Sequence, residues 1–202
     1  MSRLIAVECM SLDGVIQAPG HPAEDQDGGF EHGGWTSPFM AEHARYNTES
    51  FQAAGAFPLG RRTSEIWAQY WPTVSDADEI ARALNTEPKY VASTTLNRAD
   101  WRGTIILRDG LPAEIERLKR HSGKPILMIG SSDLAQTLIE HDLLDGYQLW
   151  LHPVALGGGK RLFRDGNPAG RLRLIDSRTT RGGLVILTYE RAGQESSDRE
   201  QR

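Results

Sequence analysis

The sequence predicts an α/β fold built on a central, mostly parallel mixed sheet that ends in an antiparallel hairpin. Short apolar runs alternate with helical patterns through the first three quarters of the chain. Several of these runs stop at tight turns rich in Gly, Ser and Asp, which suits strand-to-helix connections. Two late runs, 172–175 and 184–189, flank Gly182 and Gly183 and read as a hairpin. With 202 residues, 39% hydrophobic and 25% charged, the chain can fill one ordinary core and is too apolar for disorder. The expected organisation is one domain over 1–191 and a disordered polar tail over 192–202.

Residues 4–10 form the first expected strand, broken in composition only by Glu8. Ser11-Leu12-Asp13-Gly14 supplies turn chemistry, and a glycine-rich loop follows over 17–36, long enough to suggest function. Ser37 and Pro38 mark a helix start, with Met40, Ala44, Phe51 and Ala54 on one face and Gly55 ending it. A second strand, 56–59, runs into Gly60-Arg61-Arg62-Thr63 and a helix containing Ile66 and Trp67. Ser75 and Asp78 match a capping box that opens a short helix to Leu84. Strands are expected at 89–93 and 104–107, and a helix at 112–121. The most apolar run, 126–129, stops at Gly130-Ser131-Ser132-Asp133 before a helix with Leu134, Leu138 and Ile139 inward. A strand at 147–152, a glycine turn at 157–160 and the hairpin complete the order.

Several function classes are excluded on composition and spacing. A net charge of -4 argues against a general nucleic-acid binder. The apolar stretch 4–7 is too short for a targeting signal, and no run approaches the ~20 apolar residues that span a bilayer, so no membrane association and a soluble, cytoplasmic protein are expected. Cys9, the single cysteine, can form no internal disulfide and suits a reducing compartment. Lys160 follows glycines, but Val154 and Arg161 stand where a Walker loop needs Gly and Ser or Thr. There is no GxGxxG after the first strand and no GxSxG elbow. A zinc deaminase needs more cysteines than one. His21, Asp25, Asp27 and His32 match no ligand spacing, and His43, His121, His141 and His152 are scattered, so no metal is expected.

Two turns remain as anion sites. Gly130, Ser131 and Ser132 open a helix whose first amides point outward with partial positive charge and can hold a pyrophosphate. Gly60, Arg61, Arg62 and Thr63 offer two guanidiniums and a hydroxyl after a buried strand. Ligands of such sheets sit beyond the carboxyl ends of the strands, where both turns are expected.

Taken in order and spacing, the SLDG turn at 11–14, GRRTSE at 60–65, IGS at 129–131 with Leu134, and PVALGGG at 153–159 through Phe163 resemble the dihydrofolate-reductase-like family. That family includes the C-terminal reductase domain of the bifunctional riboflavin-pathway deaminase-reductase, and the likeness spans roughly 3–189. It implies a sheet of about eight strands with flanking helices, an NADPH cleft and a homodimer. It also implies cofactor contacts at Gly60, Arg61, Arg62 and Thr63, at Ser93 and Thr94 beside the adenosine phosphate, and at Gly130, Ser131 and Ser132 behind the pyrophosphate and nicotinamide. On the substrate side it points to Asp13 and Trp35 as catalytic, with Thr36 and Ser37 nearby. Two departures stand out: Ile129 replaces an acidic residue, and Phe51 falls where an arginine meets the substrate phosphate. The expectation is therefore a stand-alone NADPH-dependent reductase acting on a small heterocycle or carbonyl. The alternatives are the riboflavin-pathway 5-amino-6-(5-phosphoribosylamino)uracil reductase and a non-catalytic NADP(H)-binding module.

Overall fold

Strand β1 (Leu4–Ser11) runs through the middle of the molecule because both of its faces are covered, which is why its sequence reads as an almost unbroken apolar run. Leu4 and Ala6 pack into one buried cluster while Val7 packs into the other, with Phe57, Leu59 and Trp150. Residues 1–192 are described by the computed structural model, apart from the side chains of 44, 45 and 47. Of the expected polar tail, residues 193–202 lie outside the described part.

In chain order the further elements are α1 (Met40–Ala53), β2 (Phe57–Gly60), α2 (Arg61–Tyr70), α3 (Glu79–Thr86), β3 (Lys89–Ala92), β4 (Thr104–Leu107), α4 (Leu111–His121), β5 (Ile126–Ile129), α5 (Ser132–Glu140), β6 (Gly146–His152), β7 (Leu172–Thr179) and β8 (Val185–Arg191). Short 3-10 turns precede α1 and follow α2. All eight expected strands are present, but they form two hydrogen-bonded sheets. One has five strands in the order β5-β1-β6-β8-β7, and the other three in the order β2-β3-β4. That corrects the expectation of a single eight-stranded sheet. The two meet at an isolated parallel bridge between Ala56 and Ile126, with backbone bonds from Gly55 to Pro125 and from Leu127 to Ala56. Pairing is parallel for β1 with β5 and β6 and throughout the smaller sheet, and antiparallel for β8 with β6 and β7.

Two local expectations change. Ser75 does not cap α3: its hydroxyl accepts from the Ala77 amide, and the cap is Asp78, whose carboxylate accepts from Ile80 and Ala81 at 2.9 Å each. Met40 is exposed, because the 3-10 turn Ser37–Phe39 re-aims the chain before α1 begins, whereas Phe51 and Ala54 are buried as expected. Strand β7 is exposed along its whole length, with Leu172, Leu174 and Ile175 outward.

Candidate functional site

Parallel strands β1, β2, β3 and β5 bring their carboxyl ends to one side of the molecule, where a cleft of about 860 Å³ opens. Gly60 ends β2 and starts α2, Ser93 and Thr94 follow β3, and Gly130 to Ser132 join β5 to α5. All of these, with Arg61, Arg62 and Thr63, line the cleft.

The two anion turns are in direct contact. The Gly60 amide donates to Ser131 Oγ at 2.8 Å, and that hydroxyl donates to Thr63 Oγ1 at 2.9 Å. The close approach explains the glycine at 60, since a Cβ there would stand 3.2 Å from Ser131 Cβ. Gly130 and Ser131 take consecutive left-handed conformations (φ 57° and 66°), which turns the chain sharply into α5. Neither α2 nor α5 has a side chain capping its first amides, so both helices present unsatisfied N–H groups at the cleft.

The arginines differ in their surroundings. Arg61 pairs with Glu65 one turn along α2 at 2.9 Å. Arg62 reaches across to the glycine-rich loop and pairs with Asp25 and with Asp27, the latter at 2.6 Å. Lys160 Nζ binds the same two carboxylates at 2.7 and 2.9 Å. The Arg62 guanidinium first, then the Lys160 ammonium, hold the Asp27 carboxyl down at about 2. Two acidic groups of the loop thus neutralise the Arg62 guanidinium at the cleft.

Asp13 and Trp35, the expected catalytic pair, do not line the cleft. The Asp13 carboxylate accepts from Ser11 Oγ at 2.7 Å and from the Leu156 and Gly157 amides at 3.1 and 2.8 Å, which fastens the SLDG turn to the loop after β6. Those bonds, chiefly the Ser11 hydroxyl, lower its pKa to about 2. Trp35 is buried edge-on against His152 and donates its indole N–H to the Gln17 carbonyl at 2.8 Å. Only its neighbour Thr36 lines the cleft. The geometry gives both residues positions that shape loops, and the sequence left without a role one buried acidic group that does line the cavity.

That group is Glu8. It is 2% exposed, lines the cleft, and its Oε1 has no hydrogen-bond partner among the described residues. Burial pushes the carboxyl well above the usual range, with the Gly130 backbone opposing the rise. Its only sequence signal was the interruption of an apolar run, since a carboxylate inside a buried strand needs a reason. Phe51 and Ile129, the two departures noted in the sequence, also line the cleft and leave that wall apolar. Two of the four histidines expected to be scattered meet: His43 and His152 face each other at 2.8 Å.

Residues 3–186 match the family described as the RibD C-terminal domain. The chain belongs to that family. It is 35% identical over 194 residues to the uncharacterized protein YyaP of Bacillus subtilis (strain 168), covering 93% of this chain and 94% of that protein. Among solved structures, a provisionally assigned riboflavin biosynthesis protein from Shewanella sp. PV-4 is similar with a TM-score of 0.67 and 19% identity, over 94% of this chain and 99% of that one. Dihydrofolate reductase from Enterococcus faecalis complexed with NADP(H) is similar with a TM-score of 0.57 and 14% identity, over 94% and 96%. These likenesses establish an α/β architecture shared with dihydrofolate reductase. Among the described residues, no helix is long and apolar enough to cross a membrane.

Proposed function

We propose that this RibD C-terminal domain protein is an NADPH-dependent reductase that passes a hydride to a small heterocyclic or carbonyl substrate. The observation that carries the reading is the bond from Gly60 through Ser131 to Thr63, which joins two uncapped helix starts into one anion-binding edge. The donor set fits a dinucleotide: main-chain amides at Gly130 to Ser132 suit its pyrophosphate, and Arg61 and Arg62 suit a further phosphate. Family membership and the fold shared with dihydrofolate reductase support an oxidoreductase.

When bound, the cofactor supplies the hydride. The chain supplies the rest. Glu8, kept protonated by burial, lines the cleft from β1 and can give its carboxyl proton to the substrate heteroatom bonded to the carbon that receives the hydride, after which a proton from solvent restores the carboxyl. Phe51, Trp150 and Ile129 form an apolar wall that excludes water and orients a flat substrate. The same wall disfavours the pathway pyrimidine phosphate, because it offers no cation at position 51 for a phosphate to meet.

A fluorescence titration tests the cofactor reading. NADPH is expected to bind in the tens of micromolar or tighter, and more tightly than NADH. Substituting Arg61→Ala together with Arg62→Ala should narrow that preference, since a 2'-phosphate adds a charge-assisted contact to a guanidinium. No binding of NADPH refutes the reading. Binding without oxidation across a panel of carbonyls, pterins and the pyrimidinone phosphate instead favours a non-catalytic module.

A further inference from the structure

Three soft donors converge where β1 and β6 lie side by side. Cys9 is paired in register with Trp150, His152 ends β6 two residues on, and His43 enters from the first turn of α1. One donor atom from each of Cys9, His43 and His152 lies within 4.8 Å of the other two.

The His152 imidazole is already oriented. His152 Nδ1 lies 2.7 Å from the Trp150 carbonyl oxygen, which can only accept, so Nδ1 carries the proton and the Nε2 of the neutral ring presents its lone pair. That lone pair faces His43 Nε2 at 2.8 Å. A backbone carbonyl that fixes the far nitrogen of a ligating histidine is the usual supporting contact of a metal site. Aromatic rings enclose the pair: Trp35 and Phe39 stand edge-on to His152, and Trp150 to His43, each at 5.1 Å between centroids. His152 is wholly buried, while Cys9 and His43 line the cleft.

We propose that Cys9, His43 and His152 form a three-ligand zinc site whose fourth position opens into the cleft. One thiolate and two imidazoles, without a hard oxygen donor, select a borderline-soft cation over magnesium or calcium. With Zn–N near ~2.0 Å and Zn–S near ~2.3 Å, a tetrahedral site separates its donors by about 3.3 to 3.6 Å. The histidine pair, at 2.8 Å, opens by about half an ångström, and the sulfur, within 4.8 Å of both nitrogens, closes by at most about 1.3 Å, movements within the reach of side-chain rotation. Three protein ligands and an open position are the pattern of zinc that meets a substrate oxygen or nitrogen, and here that position faces the same cavity as Glu8. The inference stands independently of the reductase reading.

The test uses the full chain without an affinity tag, stripped by a chelator and titrated with cobalt(II). The expected result is one equivalent bound, with tetrahedral d–d bands and a thiolate-to-cobalt charge-transfer band, both displaced by zinc. Cys9→Ser should abolish the charge-transfer band and His43→Ala should weaken cobalt tenfold or more. His141→Ala, at an exposed histidine, should change neither. In the unmutated chain zinc should also slow alkylation of Cys9, which is the only thiol in the sequence. Absence of the charge-transfer band, its survival in Cys9→Ser, or alkylation indifferent to zinc overturns the proposal. Binding of NADPH by the stripped chain reports on the reductase reading alone, so the two can fail separately.

Discussion

Replacing Glu8 with glutamine keeps the size of the side chain and removes its proton equilibrium. In the folded protein burial holds the carboxyl protonated above the ordinary range, whereas in the unfolded chain it ionises near pH 4.5. Above that pH the native state keeps a proton that the unfolded state has released. Stability linked to Glu8 is therefore complete below about pH 4.5 and falls as pH rises, by up to about 1.4 kcal/mol per unit, until the folded carboxyl ionises as well. The two buried histidines pull the other way. Burial lowers His43 to about 4 and lowers His152, so both stay neutral in the fold while the unfolded chain takes up protons below about pH 6.5. Their contribution is lost as pH falls, and it is common to both proteins, so it cancels in the difference. Urea unfolding of the parent and of Glu8→Gln from pH 5 to 8 should show the variant gaining steadily on the parent as pH rises. A difference that stays flat across that range refutes the claim of a buried, protonated carboxyl. With it would go the assignment of Glu8 as the proton source.

Three further outcomes are expected. Ser131→Ala removes the acceptor of the Gly60 amide and leaves that part-buried N–H without a partner, at a cost of about 1–3 kcal/mol in urea unfolding, and it should weaken NADPH at least tenfold by loosening the anion edge; unchanged binding would place the phosphates elsewhere. Asp25→Asn with Asp27→Asn frees Arg62 and Lys160 from four partly buried ion pairs and should tighten NADPH by titration; weaker binding in that variant would mean that the loop supports the site and does not compete for it. A homodimer is proposed through the exposed strand β7, and lysines replacing Leu174 and Ile175 should convert it to a monomer by light scattering, whereas a parent chain already monomeric at high concentration removes the proposal.

The anion edge could be read from the sequence because its parts are local. Gly, Ser, Arg and Thr placed directly after apolar runs announce strand-to-helix turns, and the carboxyl ends of parallel strands then gather those turns on one side. The split of the strands into two sheets could not be read, since strand order depends on pairing between distant segments. Asp13 looked chemical because turn acids and catalytic acids share the same short motif, and only the amides of Leu156 and Gly157 show what its carboxylate does. Glu8 went without a role because its meaning depends on burial that no single run displays. His43 and His152 stand 109 residues apart, so spacing carried no trace of their meeting. The topology makes it, by laying α1 against the end of β6.

The junction at Ala56 and Ile126 is where the two sheets join. Helix α2 is rooted on one side of it and α5 on the other, so the serine link from Gly60 to Thr63 acts as a stitch drawn between two plates. Any guest long enough to touch both helix tips adds a second stitch, and the tighter it holds, the less the plates can part. Loading the cleft would then register as rigidity in backbone far from the guest itself, at the amides of Gly55 and Leu127 whose bonds close that junction.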